Sequence, residues 1–183
     1  WSIPFSVMLV VPLGVVGVIS PWNYPVTLAL VPLATAIAAG NHVLLKPSEH
    51  TPHTSAFLAD LLTSVFPPER VTVVQGGAEL AAAVAALPVG HLVFTGSTAV
   101  GRKVMAAAAA HLVPLTLELG GKSPAIIRAD YPLQRAAARL ATGKLFNAGQ
   151  PCLAPDHVFI DSASQREFVQ ALRVPHAAFA RQV

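Results

Sequence analysis

The sequence has little cysteine and little charge. It holds one cysteine, Cys152, which excludes an internal disulfide and fits a reducing compartment, so we expect a cytoplasmic protein. Charged residues make up 11% of the 183 residues and hydrophobic residues 54%, a balance that excludes global disorder. The Lys and Arg residues are scattered rather than clustered, so the sequence does not favour nucleic-acid binding.

Residues 1–45 contain no Asp, Glu, Lys or Arg, so a membrane-associated segment is the first alternative to consider. A spanning helix needs about 20 mainly apolar residues, and five prolines interrupt this region. The membrane interpretation is therefore the less favoured one, although transporter helices are sometimes broken in this way. Position 1 is Trp, and no basic region precedes the apolar run, so we expect no intact secretory signal peptide.

Short apolar runs alternate with helix-like segments along most of the chain. Five runs predict buried strands: GVVGVIS, HVLLK, RVTVVQG, HLVFTGS and PLTLELGG. Their alternation with helices predicts an α/β fold with a doubly wound, Rossmann-like parallel sheet. From SPAII onward the pattern changes to strand, long helix (PLQRAAARLATGKLFNAG) and strand (DHVFID), which predicts the start of a second α/β lobe. We therefore predict two domains, residues 12–121 and residues 122–183.

Polar clusters follow four of the predicted strands. They are SPWNYP, KPSEHTP, FTGSTAVG and ELGGK. Because ligands of open α/β sheets bind at the carboxyl ends of the strands, this placement predicts a cofactor site. The GSTAVGRK segment lacks the Lys-Ser/Thr of a P-loop and is not a G-x-G-x-x-G fingerprint. Gly96 would let backbone approach a phosphate, and Ser97 or Thr98 would cap the following helix, but an ordinary capped turn explains the segment equally well.

Each polar residue also has a structural explanation. Lys46 and Glu49 taken singly fit a solvated ion pair, and Asn23 fits a turn between two prolines. Glu118 lies within an otherwise apolar strand, where a carboxylate is costly unless it is paired or functional. A lone cysteine such as Cys152 is most often a buried hydrophobic residue.

His50 and His53 have a spacing that occurs in metal sites. No further Cys/His pair accompanies them, so we expect loop histidines and no metal site.

Taken together, five ordered motifs resemble the NAD(P)-dependent aldehyde dehydrogenases. They are PWNYP, KPSE, FTGSTAVG, LELGGKSP and FNAGQPC, and the tail CLAPDHVFID resembles the branch that includes coniferyl and fatty aldehyde dehydrogenases. The resemblance covers residues 12–173. It implies an oxidoreductase that converts an aldehyde to a carboxylic acid with NAD(P)+ and whose full-length form is a homodimer or homotetramer.

The resemblance also implies roles for individual residues. Cys152 would be the nucleophile, Asn23 and the backbone N–H of Cys152 would hold the oxyanion, and Glu118 would be the general base. Residues 12–121 would form the NAD(P)-binding domain, and residues 122–183 the truncated start of a catalytic domain. The cofactor contacts would be Trp22, Lys46, Glu49, Gly96, Ser97 and Gly101. Because a carboxylate at position 49 would repel a 2′-phosphate, we expect NAD as cofactor, with NADP possible.

The sequence departs from the family pattern in three places. Pro151 precedes the cysteine; it leaves the N–H of Cys152 available and predicts an extended conformation for Gln150. Residues 1–11 do not match the polar segment expected before PLGVVG, and we assign them no role. The chain is also much shorter than family members, so we expect a fragment that is inactive or nearly so by itself. A dinucleotide-binding module without catalysis is the alternative.

Overall fold

The structure, a computed structural model, describes residues 11–179. Residues 1–10 of the N-terminal segment discussed above lie outside this range. The chain forms two compact units, divided between Leu119 and Gly120. No helix within the described range is both long and apolar enough to cross a membrane.

The first unit is a five-stranded parallel sheet with helices between consecutive strands. The sheet order is β3-β2-β1-β4-β5, and all its strand pairs are parallel. The predicted α/β fold with a doubly wound sheet is therefore confirmed. The elements are β1 (Val15–Ile19), α1 (Thr27–Ala38), β2 (His42–Lys46), α2 (Pro52–Val65), β3 (Val71–Val73), α3 (Ala78–Ala85), β4 (His91–Gly96), α4 (Thr98–Ala109) and β5 (Leu115–Leu119).

Apolar residues are buried on both faces of this sheet, which is why its strands are almost continuously hydrophobic. Val16 and Val18 of β1 pack with α1 and α2 in one core. Ile19, next along the strand, packs with α3 and α4 in the other core. Full burial of a Leu, as at Leu45 or Leu92, stabilises the fold by about 1.5–3 kcal/mol.

The turn after α1 shows how the sequence ends a helix. Gly40 has φ +86°, a left-handed conformation that glycine adopts readily just after a helix. Asn41 is buried; its Nδ2 donates to the carbonyl of Ala36 at 3.1 Å, and its Oδ1 accepts from the N–H of Leu13 at 2.6 Å. The amide therefore ties the helix end to the segment that leads into β1.

Within the described residues, the second unit contains two parallel strands and two α-helices. The elements are β6 (Ser123–Ile126), α5 (Leu133–Leu145), a 3-10 turn (Phe146–Gly149), β7 (Pro155–Phe159) and α6 (Gln165–Phe179). The core of this unit includes Ile127, Ala137 and Phe168. The helix predicted to reach Gly149 ends at Leu145, because Asn147 and Ala148 have positive φ angles. Helix α6 was not predicted from the sequence.

Candidate functional site

A cavity of about 610 Å³ opens in the first unit, where β1, β2 and β4 end. Helices α3 and α4 form its opposite wall. The reversal of strand order between β1 and β4 creates a crevice at this edge of a doubly wound sheet. Five of the residues predicted from the sequence line the cavity: Trp22, Lys46, Glu49, Gly96 and Ser97.

Lys46 and Glu49 form an ion pair in the wall of the cavity. The Lys46 side chain is 2% exposed and its Nζ donates to Glu49 Oε2 at 2.5 Å, whereas the Glu49 side chain is 36% exposed. The solvated-pair interpretation is therefore wrong for Lys46, which is buried at the end of β2. The hydrogen bond from Lys46 lowers the pKa of Glu49 below its ordinary value, despite an opposing desolvation effect. The carboxylate is thus ionised at neutral pH.

The start of α4 is capped by Ser97. Its Oγ accepts from the N–H of Val100 at 3.3 Å, which confirms Ser97 as the helix cap. The first turn of α4 lies at the cavity and is suited to an anion, because N–H groups are unpaired at a helix N-terminus.

Two glycines of the same segment have packing roles. A Cβ at Gly96 would come within 2.6 Å of the Phe94 ring, so glycine is needed where β4 turns into α4. Gly101 is buried within α4, where an added Cβ would meet the side chain of Leu119 at 2.7 Å. Gly101 therefore lies where α4 packs against β5.

Asn23 and Glu118 also lie in the first unit. Asn23 is half-buried in the turn between β1 and α1, directly after Trp22. Glu118 lies on β5, the edge strand, opposite Thr95 of β4, and it is exposed. The argument that a carboxylate in this strand is costly is therefore wrong, because alternate residues of β5, Thr116 and Glu118, are exposed.

Cys152 lies in the second unit and is exposed. The buried-hydrophobe interpretation of this cysteine is therefore wrong. It occupies a turn in which the N–H of Ala154 donates to the carbonyl of Pro151 at 3.1 Å. The turn makes the thiol accessible to a reagent or substrate from solution.

The segment before Cys152 has an unusual backbone. Asn147, Ala148 and Gly149 have φ angles of +48°, +55° and +80°, three consecutive left-handed residues. Such a conformation is costly for Ala, and strain of this kind clusters at functional sites. Gln150 has φ −87° and ψ −3°, so the predicted extended conformation is wrong. Its N–H is bonded to the carbonyl of Asn147 at 3.1 Å, which holds it in the tight turn despite Pro151.

Neither His50 nor His53 belongs to a metal site within the residues that the structure covers. Both histidines are exposed, and His50 lines the cavity. Residues 11–179 contain no group of three or more His, Cys, Asp or Glu residues that could hold a metal ion.

Comparison with known proteins places this arrangement in a family. The sequence profile of the aldehyde dehydrogenase family matches residues 4–179. The chain belongs to the aldehyde dehydrogenase family. The family resemblance inferred from the five motifs is thereby confirmed.

Individual aldehyde dehydrogenases are similar over about a third of their own length. A probable coniferyl aldehyde dehydrogenase of Pseudomonas aeruginosa is 55% identical over 158 residues, which are 86% of this chain and 33% of the relative. The substrate-bound AldH of Staphylococcus aureus has a TM-score of 0.88 and 39% identity, over 92% of this chain and 37% of its own. The Mycobacterium tuberculosis aldehyde dehydrogenase complexed with NAD+ has a TM-score of 0.82 and 40% identity, over 90% and 34%.

Several cavity residues were not predicted from the sequence, among them Ser20 and Lys103. Ser20 is the first polar residue after the apolar strand β1, and that position was a usable signal. Lys103 lies on α4 with Val100, Val104 and Ala107, and all four line the cavity. Their spacing of three and four residues is that of one helix face, so it could have indicated Lys103 once Ser97 was assigned to the site.

Proposed function

We propose that this chain supplies the cofactor cavity and the reactive thiol for oxidation of an aldehyde to a carboxylic acid with NAD(P)+. The observation that carries the proposal is the cavity at the ends of β1, β2 and β4, with the buried Lys46 paired to Glu49 in its wall. The chain spans about a third of the length of its relatives. The proposal therefore concerns the aldehyde dehydrogenase in which this sequence functions.

The cavity has the size and the polar groups that a dinucleotide needs. Its volume of about 610 Å³ lies within the usual range for small-molecule sites. Lys46 and Glu49 would donate to and accept from the adenosine ribose hydroxyls, and the first turn of α4 behind Ser97 would bind the diphosphate. When bound, the nicotinamide supplies an acceptor for a hydride.

Glu49 supports a preference for NAD over NADP. Its carboxylate is ionised, and a 2′-phosphate on the neighbouring ribose would bring like charges together. Lys46 and Lys103 line the same cavity and offset part of this repulsion, although Glu79 also lines it, so NADP would bind more weakly rather than be excluded.

The thiol would carry the covalent chemistry. The Cys152 thiolate attacks the carbonyl carbon of the aldehyde, and the Asn23 amide with the N–H of Cys152 stabilises the resulting oxyanion. As the oxyanion re-forms the carbonyl bond, the aldehyde hydrogen would leave with its electron pair as hydride to the acceptor that the nicotinamide supplies, and the carbon would remain bound to sulfur as a thioester. Glu118 removes a proton from the water that attacks the thioester, which releases the carboxylic acid and restores the thiol.

The substrate would be a small aldehyde and the active assembly a homodimer or homotetramer. The 55% identity to a probable coniferyl aldehyde dehydrogenase makes aromatic aldehydes the first class to assay.

The experiment compares two proteins. The first is the 183-residue chain; the second is the P. aeruginosa relative with its matching third replaced by this chain. NADH absorbance is followed with aromatic and aliphatic aldehydes, and each protein is compared with its Cys152→Ala variant. We expect turnover only in the graft and its loss in Cys152→Ala. Undiminished turnover by the Cys152→Ala graft would contradict the proposal and leave a dinucleotide-binding module.

A further inference from the structure

Ser20 carries a buried hydroxyl that has no role in the reaction proposed above. The residue follows β1 directly, is 5% exposed and lines the cavity. Among the described residues its Oγ has no hydrogen-bond partner. An unpaired buried hydroxyl costs free energy, so native structures rarely retain one without a reason.

The other buried serines of the described chain differ from Ser20. Ser48 Oγ accepts from the N–H of His50 at 3.2 Å, and Ser55 Oγ donates to the carbonyl of Ser48 at 2.8 Å. Both hydroxyls are therefore satisfied inside the protein. Ser20 is the exception, and it is one that lines the proposed cofactor cavity.

The backbone places Ser20 beside Lys46. Its N–H donates to the Lys46 carbonyl at 3.1 Å, which extends the β1–β2 ladder by one residue beyond the pair Ile19–Lys46. Lys46, Glu49 and Ser20 line the same cavity, so a ligand held by the Lys46–Glu49 pair occupies the cavity that Ser20 borders. A hydroxyl both donates and accepts, so either a ribose hydroxyl or a phosphate oxygen could complete it.

We propose that the Ser20 hydroxyl binds a ribose or phosphate oxygen of the adenosine half of the dinucleotide. The inference rests on the proposed function, because it needs a dinucleotide in this cavity. It predicts two effects of opposite sign for Ser20→Ala. The free protein loses an unpaired polar group and becomes no less stable, whereas the complex loses a hydrogen bond.

The experiment measures both effects on the 183-residue chain. Dissociation constants for NAD and for ADP are determined by calorimetric titration, and the unfolding temperature of the free protein is measured. For Ser20→Ala we expect an equal or higher unfolding temperature and a Kd about 3- to 10-fold higher for both ligands, the usual weight of one hydrogen bond. ADP is included because it contains only the adenosine half.

Ser55→Ala is the matched control, because it also removes a buried serine hydroxyl, but one with a partner. It should lower the unfolding temperature, and so it measures the cost of losing a buried hydroxyl that is already bonded inside the protein. Ser20→Cys is the second variant; it nearly preserves side-chain volume and replaces the hydroxyl with a weak donor, so it should weaken binding as Ser20→Ala does.

Unchanged dissociation constants in both Ser20 variants would overturn the inference. The inference would also be overturned if Ser20→Ala lowered the unfolding temperature as Ser55→Ala does and left NAD and ADP binding unaltered. The Ser20 hydroxyl would then have a hydrogen-bond partner inside the protein. If the wild-type chain binds neither NAD nor ADP, the proposed function itself fails together with this inference. A different result, in which the wild-type chain binds both ligands and the Ser20 variants bind them equally well, would overturn only the inference about Ser20.

Discussion

Replacing Lys46 by Met should separate dinucleotide binding from stability. The substitution keeps a long apolar side chain in a position that is 2% exposed, but it removes the ammonium that is bonded to Glu49. Removing one partner of a fully buried ion pair is strongly destabilising. Glu49 is 36% exposed, however, so water can solvate its carboxylate after the change. We therefore expect the free energy of unfolding to change by no more than about 1 kcal/mol.

Binding should respond much more strongly than stability. A hydrogen bond from a charged group contributes about 1.5–3 kcal/mol, which corresponds to a Kd for NAD that is about 10- to 150-fold higher in Lys46→Met. Calorimetric titration with NAD and urea unfolding measure the two quantities on the same preparation. Lys122→Met is the matched control: it removes the lysine of an exposed pair with Asp156, at 2.9 Å, and should change neither quantity. A Kd within threefold of wild type in folded Lys46→Met would refute the assignment of Lys46 to the cofactor.

Three further predictions concern the charge of Glu49, the packing around Gly90 and the exposure of Cys152. Glu49→Gln should narrow the difference between the NAD and NADP dissociation constants. Glu49→Gln should also make the free energy of unfolding less dependent on pH. The pKa of Glu49 is lowered from its ordinary value of 4.5. The stability that its pairing with Lys46 contributes is therefore present above pH 4.5 and is lost as the pH falls through the lowered pKa. Urea unfolding of wild type and variant from pH 3 to 7 checks this, and parallel curves would contradict it. Gly90→Ala should destabilise the fold by at least about 2 kcal/mol in urea unfolding, because the new Cβ would collide with the Leu13 carbonyl, whereas Gly121→Ala, whose Cβ would meet open space, should not. The single thiol should react with one equivalent of a thiol reagent in the folded chain at a rate near that of the unfolded chain, since Cys152 is exposed; a strongly protected thiol would contradict the described turn.

The sequence was most informative where local chemistry and burial agree. β-branched runs between turn residues became the parallel strands, and the three-residue spacing of Lys46 and Glu49 at a strand end became the ion pair in the cavity. Ser97 capped its helix because a serine there provides an acceptor for an unpaired N–H. These features depend on a few neighbouring residues, so their patterns can be recognised without the fold.

Other features depend on the three-dimensional arrangement. The exposure of Glu118 depends on which elements cover the faces of β5, and the composition of the strand does not show this. The unpaired hydroxyl of Ser20 is evident only once the groups around it are placed. Ala148 has no local preference for a left-handed backbone, so the end of α5 was placed too late. Helix α6 was a missed signal, since Phe168, Ala171 and Leu172 have helical spacing and pack on the core of the second unit.

The central claim is that Cys152 forms a covalent thioester during aldehyde oxidation. The most direct test uses the grafted enzyme carrying Glu118→Gln, in which hydrolysis of the thioester should be slowed. After incubation with aldehyde and NAD, mass spectrometry of the intact protein and of its peptides should show the acyl group of the substrate on Cys152. If NADH forms while Cys152 remains unmodified, or if the acyl group lies on another residue, the proposed role of this cysteine is contradicted.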